Sequence, residues 1–483
     1  MNSSVIIERF RNAAGTFPER IAVVSGETEI SYRDLERRAA ACAETIGQKI
    51  KGPVVALLLP NSYGFAPLVL GALWAGKTIA VLPTLAPPPL LKLMAAEAGA
   101  ELVITSEELV PCLVEVGIPC WIGDVSAERD PATVPVQKSS REAAIMLYTS
   151  GTTGRPKTVE LTEANILANI DGCVAATGFS EKEAMLAVLP LFHAYGLTVT
   201  LLLPLTVGAR LIVVERFVPR AVLQMIEHYR ITCFIAVPSQ FRLLSKEPAE
   251  IDASSLWLCI AGGERLPEVV AAEFEARFHH PIAQGYGTTE ASPVISLNIP
   301  ETNHHGSVGK PLPGTTVTIR DEQDTVLKAH EIGEVCVAGP TVMLGYYRDA
   351  ENTGKKIRDG VLHTGDKGYF DQDGYLFLVG RADDLVKVSG EKIYPSEVER
   401  VLESFDGVDE AAVLAVPDEK HGARLHAFLS PEPGAKLNDA ALRAACRERL
   451  EPFKVPRSFS FVDQMPRTAT GKTDKRALAA TAV

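Results

Sequence analysis

Apolar positions along the chain fall into short continuous runs of four to seven residues, separated by longer amphipathic stretches. Continuous runs predict buried strands, and the stretches between them predict helices. Residues 19–24 and 29–31 read as a small hairpin, and Ser31 then caps a helix to about residue 47. Val54–Leu59 is a buried strand, followed by an apolar helix through Trp74; Thr78–Leu82 and 102–105 are further strands. Strands alternating with helices predict a parallel sheet covered on both faces. Ala143–Leu147 is another buried strand, and residues 159–169 have helical spacing with Thr162 as N-cap. The most apolar stretch, 196–214, is broken by Pro204, Gly208 and Arg210 and predicts core helix plus strand rather than a membrane span. Residues 331–337 are a strand, and two more flank the turn 371–374.

The pattern changes after Arg381. A polar, turn-rich segment precedes a helix (395–404), strands (408–416 and 423–429), a helix (437–450) and a strand (457–462), about a hundred residues of compact α+β. The expected architecture is α/β: a large N-terminal domain, 1–382, with mainly parallel sheets covered by helices, and a small α+β C-terminal domain, 383–483, with the boundary near Asp383.

With 483 residues, 46% apolar and 22% charged, the chain is long enough for more than one core. A net charge of −12 argues against a nucleic-acid surface. The eight cysteines are scattered without a Cys-x-x-Cys, which reads as buried thiols of a reducing compartment rather than disulfides or a zinc site. The charged N-terminus lacks the apolar core of a signal peptide. A cytoplasmic protein, monomer or homodimer, is expected.

Candidate chemistry sits between the strand ending at Leu147 and the segment from Val159. Tyr148-Thr-Ser-Gly-Thr-Thr-Gly-Arg-Pro-Lys157 combines two glycines, four Ser/Thr hydroxyls and a lysine. Glycines let backbone N–H groups point at an anion, hydroxyls donate to it, and the ammonium offsets its charge. The lysine follows a proline and precedes Thr158, so this is not the P-loop of nucleotide hydrolases. Further on, Gln284-Gly-Tyr-Gly-Thr-Thr-Glu290 offers a ring for stacking, a hydroxyl for phosphate and a carboxylate for a hard cation.

These two motifs, in this order, resemble those of the adenylate-forming (acyl-activating) enzymes, most nearly the fatty acyl-CoA synthetases; the resemblance covers about residues 20–476. It implies three small-molecule substrates, ATP, coenzyme A and a carboxylic acid, with Mg²⁺ as cofactor. It assigns Thr149, Ser150, Gly151, Thr152, Thr153, Gly154 and Lys157 to the phosphates, with Thr153 and Lys157 also in catalysis. Gly262, Gly263 and Glu264, at the end of the strand that starts at Trp257, fall to adenine, with Tyr286 stacking on the base and Thr289 donating to a phosphate; Gln284, Gly285, Gly287 and Thr288 belong to the same nucleotide-binding motif. Glu290 would be catalytic and hold the metal. Asp366 would bind ribose and Arg381 the nucleotide. Lys472, in the basic terminal motif, would be the lysine of the first half-reaction. His193 would lie beside the acid pocket, where the peptide-synthetase branch carries an aspartate for an α-amino group. Lys387 and Gly390 would reach the site after rotation about Asp383, and Lys454 and Arg457 could meet CoA phosphates. Thr158 and Glu163 depart from the usual glycine and histidine.

The reaction implied is activation of a hydrophobic acid, a medium- or long-chain fatty acid, to an acyl-adenylate and then to acyl-CoA. Two alternatives stand: delivery to the phosphopantetheine of an acyl carrier protein, and a non-catalytic adenylate-binding protein.

Overall fold

The computed structural model describes residues 4–149, 156–382, 384–388, 391–418, 422–432, 434–468 and 473–481. Its larger part is layered around two sheets. One is seven-stranded, in the order Gly345–Tyr346, Lys157–Thr162, Ala143–Thr149, Thr78–Val81, Val54–Leu58, Val103–Thr105, Cys120–Ile122. The other is nine-stranded, with Leu258–Ala261, Cys233–Ala236, Ala184–Ala187 and Arg210–Val213 running parallel at its centre.

Strand period two explains the layering. Val55 and Leu57 face the central core, which also takes Met185, Ile235 and Ile260 from the second sheet. Val54, Ala56 and Leu58 face the opposite side, against the helix Pro88–Ala98. Leu186, Phe234 and Cys259 face a third core beneath the helices Pro219–His228, Pro238–Lys246 and Glu268–Phe278. Helices between the sheets are therefore shielded on both sides. Phe65–Trp74 accordingly buries all ten residues, and its sequence is apolar all round.

A third sheet is antiparallel, built on Thr316–Arg320, Gly333–Ala338, Val361–Phe370 and Leu376–Arg381. The small C-terminal unit has the strands Val408–Asp418, Gly422–Pro431 and Ser458–Phe461 and the helices Pro395–Glu403 and Asp439–Arg449. These follow the expected elements closely, around a core of Val398, Leu402, Val413, Leu429 and Cys446. The expected hinge residue Asp383 lies outside the described residues. Among the described residues no helix is long and apolar enough to cross a membrane.

One expected element is corrected. Residues 159–161 are not helical: Lys157–Thr162 is a strand antiparallel to Ala143–Thr149, and the helix is Glu163–Thr177. Val159 and Leu161 bury their side chains by alternation, with Leu344 and Tyr347 bonding to the backbone of the same strand. Thr162 caps the helix as expected, in a reciprocal box with Asn165. Residues 195–202, expected as core helix, form a π-helix leading into the short α-helix Leu203–Val207.

Candidate active site

The two expected motifs open on one cavity of about 670 Å³. Strand Ile282–Gly287 brings Tyr286 to its wall, and the turn after it brings Thr288, Thr289 and Glu290. The hairpin formed by Ala143–Thr149 and Lys157–Thr162 brings Thr149 and Lys157. Ser150, Gly151, Thr152, Thr153 and Gly154 lie outside the described residues; their flanks, Thr149 and Lys157, are cross-strand partners. The strands on either side of the motif therefore pair with each other, and Lys157 opens a strand rather than a helix.

Glu290 is fixed from behind by Tyr346, whose hydroxyl donates to Oε1 at 2.8 Å. The Lys157 ammonium stands 4.9 Å from the centre of the same ring and donates to Asn352 Oδ1 at 3.2 Å. One tyrosine thus spaces the cation of one motif from the carboxylate of the other. Burial and the adjacent Glu290 carboxylate both keep the Tyr346 hydroxyl protonated, far above its ordinary range.

The expected nucleoside end is built on the antiparallel sheet. Asp366 and Arg381 are cross-strand partners, with Arg381 Nε 3.8 Å from Asp366 Oδ1. Tyr286 donates to Asp366 Oδ2 at 2.5 Å, which joins the expected stacking ring to the expected ribose carboxylate. Burial raises the Asp366 carboxyl above its usual range, and Arg381 and the Tyr286 hydroxyl offset part of that. Burial and the facing carboxylate push the Tyr286 hydroxyl far up, so it remains a donor. Gly262, Gly263 and Gly285 line the cavity; Gly263 has φ +85°. Gly262 is required by close approach, since a Cβ there would stand 2.6 Å from Tyr195 Cε1. Gly287 likewise faces the Pro293 carbonyl oxygen, 2.1 Å from where a Cβ would be. Gln284 donates from Nε2 to the Glu264 carbonyl at 3.4 Å, bracing that turn from the neighbouring strand.

The Glu264 side chain reaches another element. It does not line the cavity; its Oε1 accepts the Thr473 backbone N–H at 2.9 Å, tying the terminal segment to the large part. Thr468, on the other flank of that segment, lines the cavity. Lys472 itself lies outside the described residues, as does Gly390. The hairpin Val386–Val388 and Glu391–Ile393, which carries Lys387 in its backbone, buries Val388 and Ile393 in the small unit's core. Lys454 pairs with Glu397 at 2.8 Å and Glu451 at 3.1 Å instead of standing free for a phosphate.

His193 lines the cavity beside Phe192, with ring centres 4.8 Å apart. It precedes the π-helix Tyr195–Leu202, a rare conformation that tends to accompany functional sites. From here the cavity runs inward between helix Glu163–Thr177 and the nine-stranded sheet, over Cys173, Phe179, Met185, Leu203, Cys233 and Leu258. Its described lining carries four formal charges, Lys157, Glu290, Lys356 and Arg381, all beside Tyr346, Thr364 or Asp366. The inner wall has none.

The donor set fits a hard cation beside a polyphosphate: one carboxylate flanked by threonine hydroxyls. Thr288 Oγ1 is buried in this wall with no hydrogen-bond partner among the described residues, as a group reserved for a ligand would be.

Sequence reading missed Tyr346, Tyr195 and Lys356. Lys356 lines the cavity and donates to the His363 and Thr364 carbonyls at 3.1 and 2.9 Å, steadying the turn before Asp366. Tyr346 lay in a segment, Met343-Leu-Gly-Tyr-Tyr, whose chemistry only its contact with Glu290 reveals. The two departures from the family pattern have local causes. Glu163 Oε2 accepts the Val5 and Ile6 amides at 2.7 and 3.2 Å, capping helix Val5–Thr16 from another element. Thr158 is buried on the hairpin strand, its carbonyl accepting from Tyr347.

Comparison with known proteins agrees with this geometry. Residues 10–347 match the AMP-binding enzyme family and residues 397–472 the AMP-binding enzyme C-terminal domain. The chain is 32% identical to an oxalate–CoA ligase of Arabidopsis thaliana, covering 99% of each protein. It is also 32% identical to a long-chain-fatty-acid–CoA ligase of Bacillus subtilis, over 97% of this chain and 92% of the relative. ATP-bound MatB from Rhodopseudomonas palustris has the same fold, with a TM-score of 0.91, 27% identity and 99% of each chain covered. The chain belongs to the AMP-binding enzyme family, the adenylate-forming enzymes that include the acid–CoA ligases.

Proposed function

We propose that this enzyme is an AMP-forming acid–CoA ligase whose acid is a hydrophobic chain of the fatty-acid class. The observation that carries the substrate class is the division of the cavity. Its charged side chains gather at the nucleotide end, and the inner wall of Cys173, Phe179, Met185, Leu203, Cys233 and Leu258 offers no cation for a second carboxylate. An acid charged at both ends would lose hydration there without compensation, whereas a hydrocarbon gains roughly 0.8 kcal/mol per buried methylene.

In the first step a carboxylate oxygen attacks the α-phosphorus of ATP. The bond to pyrophosphate breaks, and pyrophosphate leaves with the electron pair. The acid is already ionised at neutral pH, so no general base is needed and the protein's work is positioning and charge neutralisation. Lys157 and the loop 150–155 hold the departing phosphates, Asp366 and Arg381 the ribose end, and Tyr286 with Gly262 the adenine. Lys472 acts at the reacting carboxylate and α-phosphate. Glu290, oriented by Tyr346, would hold Mg²⁺, which supplies neutralisation of phosphate charge when bound. In the second step the CoA thiol attacks the acyl carbon, the bond to AMP breaks, and the thiol proton passes to solvent.

The test is thioester formation across alkanoic, aromatic and dicarboxylic acids at fixed ATP and CoA. Highest kcat/KM for an alkanoate of medium or long chain supports the reading. A preference for oxalate, malonate or an aromatic acid contradicts the substrate class. Adenylate formation without CoA consumption points to a carrier-protein acceptor.

A further inference from the structure

Off the cavity, on the sheet that carries Asp366, lies a second group of chemistry-bearing side chains. Cys336 comes from strand Gly333–Ala338, as does Glu334, and His363 from Val361–Phe370. The register of the antiparallel pair sets Cys336 directly opposite His363. His363 Nδ1 stands 3.5 Å from Cys336 Sγ and 3.2 Å from Glu334 Oε2, and all three donor atoms lie within 4.8 Å of one another. His363 Nε2 faces Asp324 Oδ1 at 3.5 Å from the turn before Val326. Nothing in the adenylation chemistry uses these groups.

A neutral imidazole cannot donate to both facing carboxylates at once. A neutral imidazole carries one N–H. Placed on Nδ1 it serves Glu334 and leaves a lone pair facing the Asp324 carboxylate. Placed on Nε2 it serves Asp324 and turns a lone pair toward Glu334. Protonation of His363 removes the conflict, and so does a cation between Nδ1, the sulfur and Glu334, which leaves Nε2–H to donate to Asp324. That is the usual arrangement of a metal-binding histidine, whose second nitrogen is held by a carboxylate. The separations agree. Zinc bond lengths and a tetrahedral angle put an N,S ligand pair about 3.5 Å apart and an N,O pair about 3.3 Å apart.

We propose that Glu334, Cys336 and His363 form a binding site for one divalent transition metal of the zinc class, with Asp324 positioning His363. The set is mixed, soft sulfur with imidazole and one carboxylate, which favours zinc or cobalt over magnesium or calcium. Cys336 and His363 are buried, while Glu334 and Asp324 keep partial exposure, 23% and 43% of their side chains, so an ion reaches the site from solvent and water can complete four-coordination. Binding displaces the Cys336 thiol proton to solvent. The site joins two strands of the antiparallel sheet, and Glu334 Oε1 also accepts the Gly365 N–H at 2.9 Å, one residue before Asp366. The metal thus anchors the strand that presents the ribose carboxylate. The ligands come from two non-adjacent segments that meet only in the folded sheet, which is why the cysteine spacing gave no zinc signal.

The test uses the full chain, stripped with chelator and titrated with Co²⁺ and then Zn²⁺. The expected result is a thiolate-to-cobalt charge-transfer band saturating at one equivalent, bleached by Zn²⁺, absent in Cys336→Ser and retained in Cys446→Ser. Asp324→Asn keeps the band and weakens Zn²⁺ binding about tenfold, as loss of an orienting carboxylate does. Circular dichroism checks that each variant is folded. If Cys336→Ser does not fold, His363→Gln takes its place, and Zn²⁺ must raise the melting temperature of the unsubstituted protein but not of that variant. Absence of the band, or a band that persists in Cys336→Ser, overturns the site.

Discussion

Two side chains of this site are held by neighbours that a sequence does not announce. Glu290 is oriented by Tyr346, and Asp366 by Tyr286. The first pairing predicts a graded series. Glu290→Gln keeps the shape and the hydrogen bond but loses the charge, and should lower the rate of adenylate formation about 10²–10³-fold, the usual cost of removing one charge-stabilising group. Tyr346→Phe leaves the carboxylate in place without its donor, and should cost roughly tenfold. Both are read as acid-dependent pyrophosphate release over a Mg²⁺ titration, where Tyr346→Phe should need more Mg²⁺ for half-maximal rate. Equal rates for Glu290→Gln and the unsubstituted enzyme would remove Glu290 from the metal role.

At the scale of elements, the contacts between strand ends decide what fits. Gly262 follows the strand Leu258–Ala261, and the ring of partly buried Tyr195, from the π-helix, closes over it. Gly262→Ala should force that ring into the cavity, raising KM for ATP about tenfold and costing about 1–3 kcal/mol of stability, as overpacking does. An unchanged KM and melting temperature would show that Tyr195 can yield. In the small unit, His426 sits between two serines of the adjacent strand, with Nε2 2.9 Å from Ser460 Oγ and Nδ1 2.8 Å from Ser458 Oγ. Burial first, and Arg424 second, hold its pKa below the ordinary 6.5. A depressed histidine binds its proton less readily when folded, so the stability is fully present above pH 6.5 and declines as pH falls through the folded value. The small unit should melt at lower temperature at pH 5 than at pH 7, and His426→Gln should flatten that dependence.

The elements were largely legible because their signals are local. Runs such as Val54–Leu58 and the apolar helix Phe65–Trp74 carry their burial in their own composition. The two motifs were legible because phosphate and cation chemistry needs glycine, hydroxyl and carboxylate close together in sequence. Residues 159–161 were misread because three residues between Lys157 and the Thr162 cap suit either a strand or a first helical turn, and the pairing with 143–149 decides it. Tyr346, Tyr195 and Lys356 were not legible because each acts through a partner 56 or more residues away, or from a conformation that periodicity does not encode, or through carbonyls at a turn. Glu163 shows the same limit. Its role as a cap for Val5–Thr16 exists only in three dimensions.

At the scale of the molecule, the small unit meets the large one through charged pairs. Arg242, buried, contacts Asp409 at 3.2 Å and Glu410 at 3.0 Å, Lys246 contacts Asp409 at 2.5 Å, and Arg265 pairs with Glu403. With Thr473 bonded to Glu264 and Thr468 on the cavity wall, the terminal segment flanks the site. We propose that this arrangement serves the first half-reaction and that the small unit turns for the second. Lys472→Ala should therefore stop adenylate formation while thioester formation from supplied acyl-adenylate and CoA remains largely intact. Parallel loss in both assays would contradict a role confined to the first step. The central claim, that a carboxylic acid is activated on ATP before any thiol takes part, is tested most directly by exchange of labelled pyrophosphate into ATP without CoA. The account predicts exchange that depends on an alkanoic acid and is lost in Glu290→Gln. Exchange that needs CoA, or none with any acid while ATP binds, would contradict it.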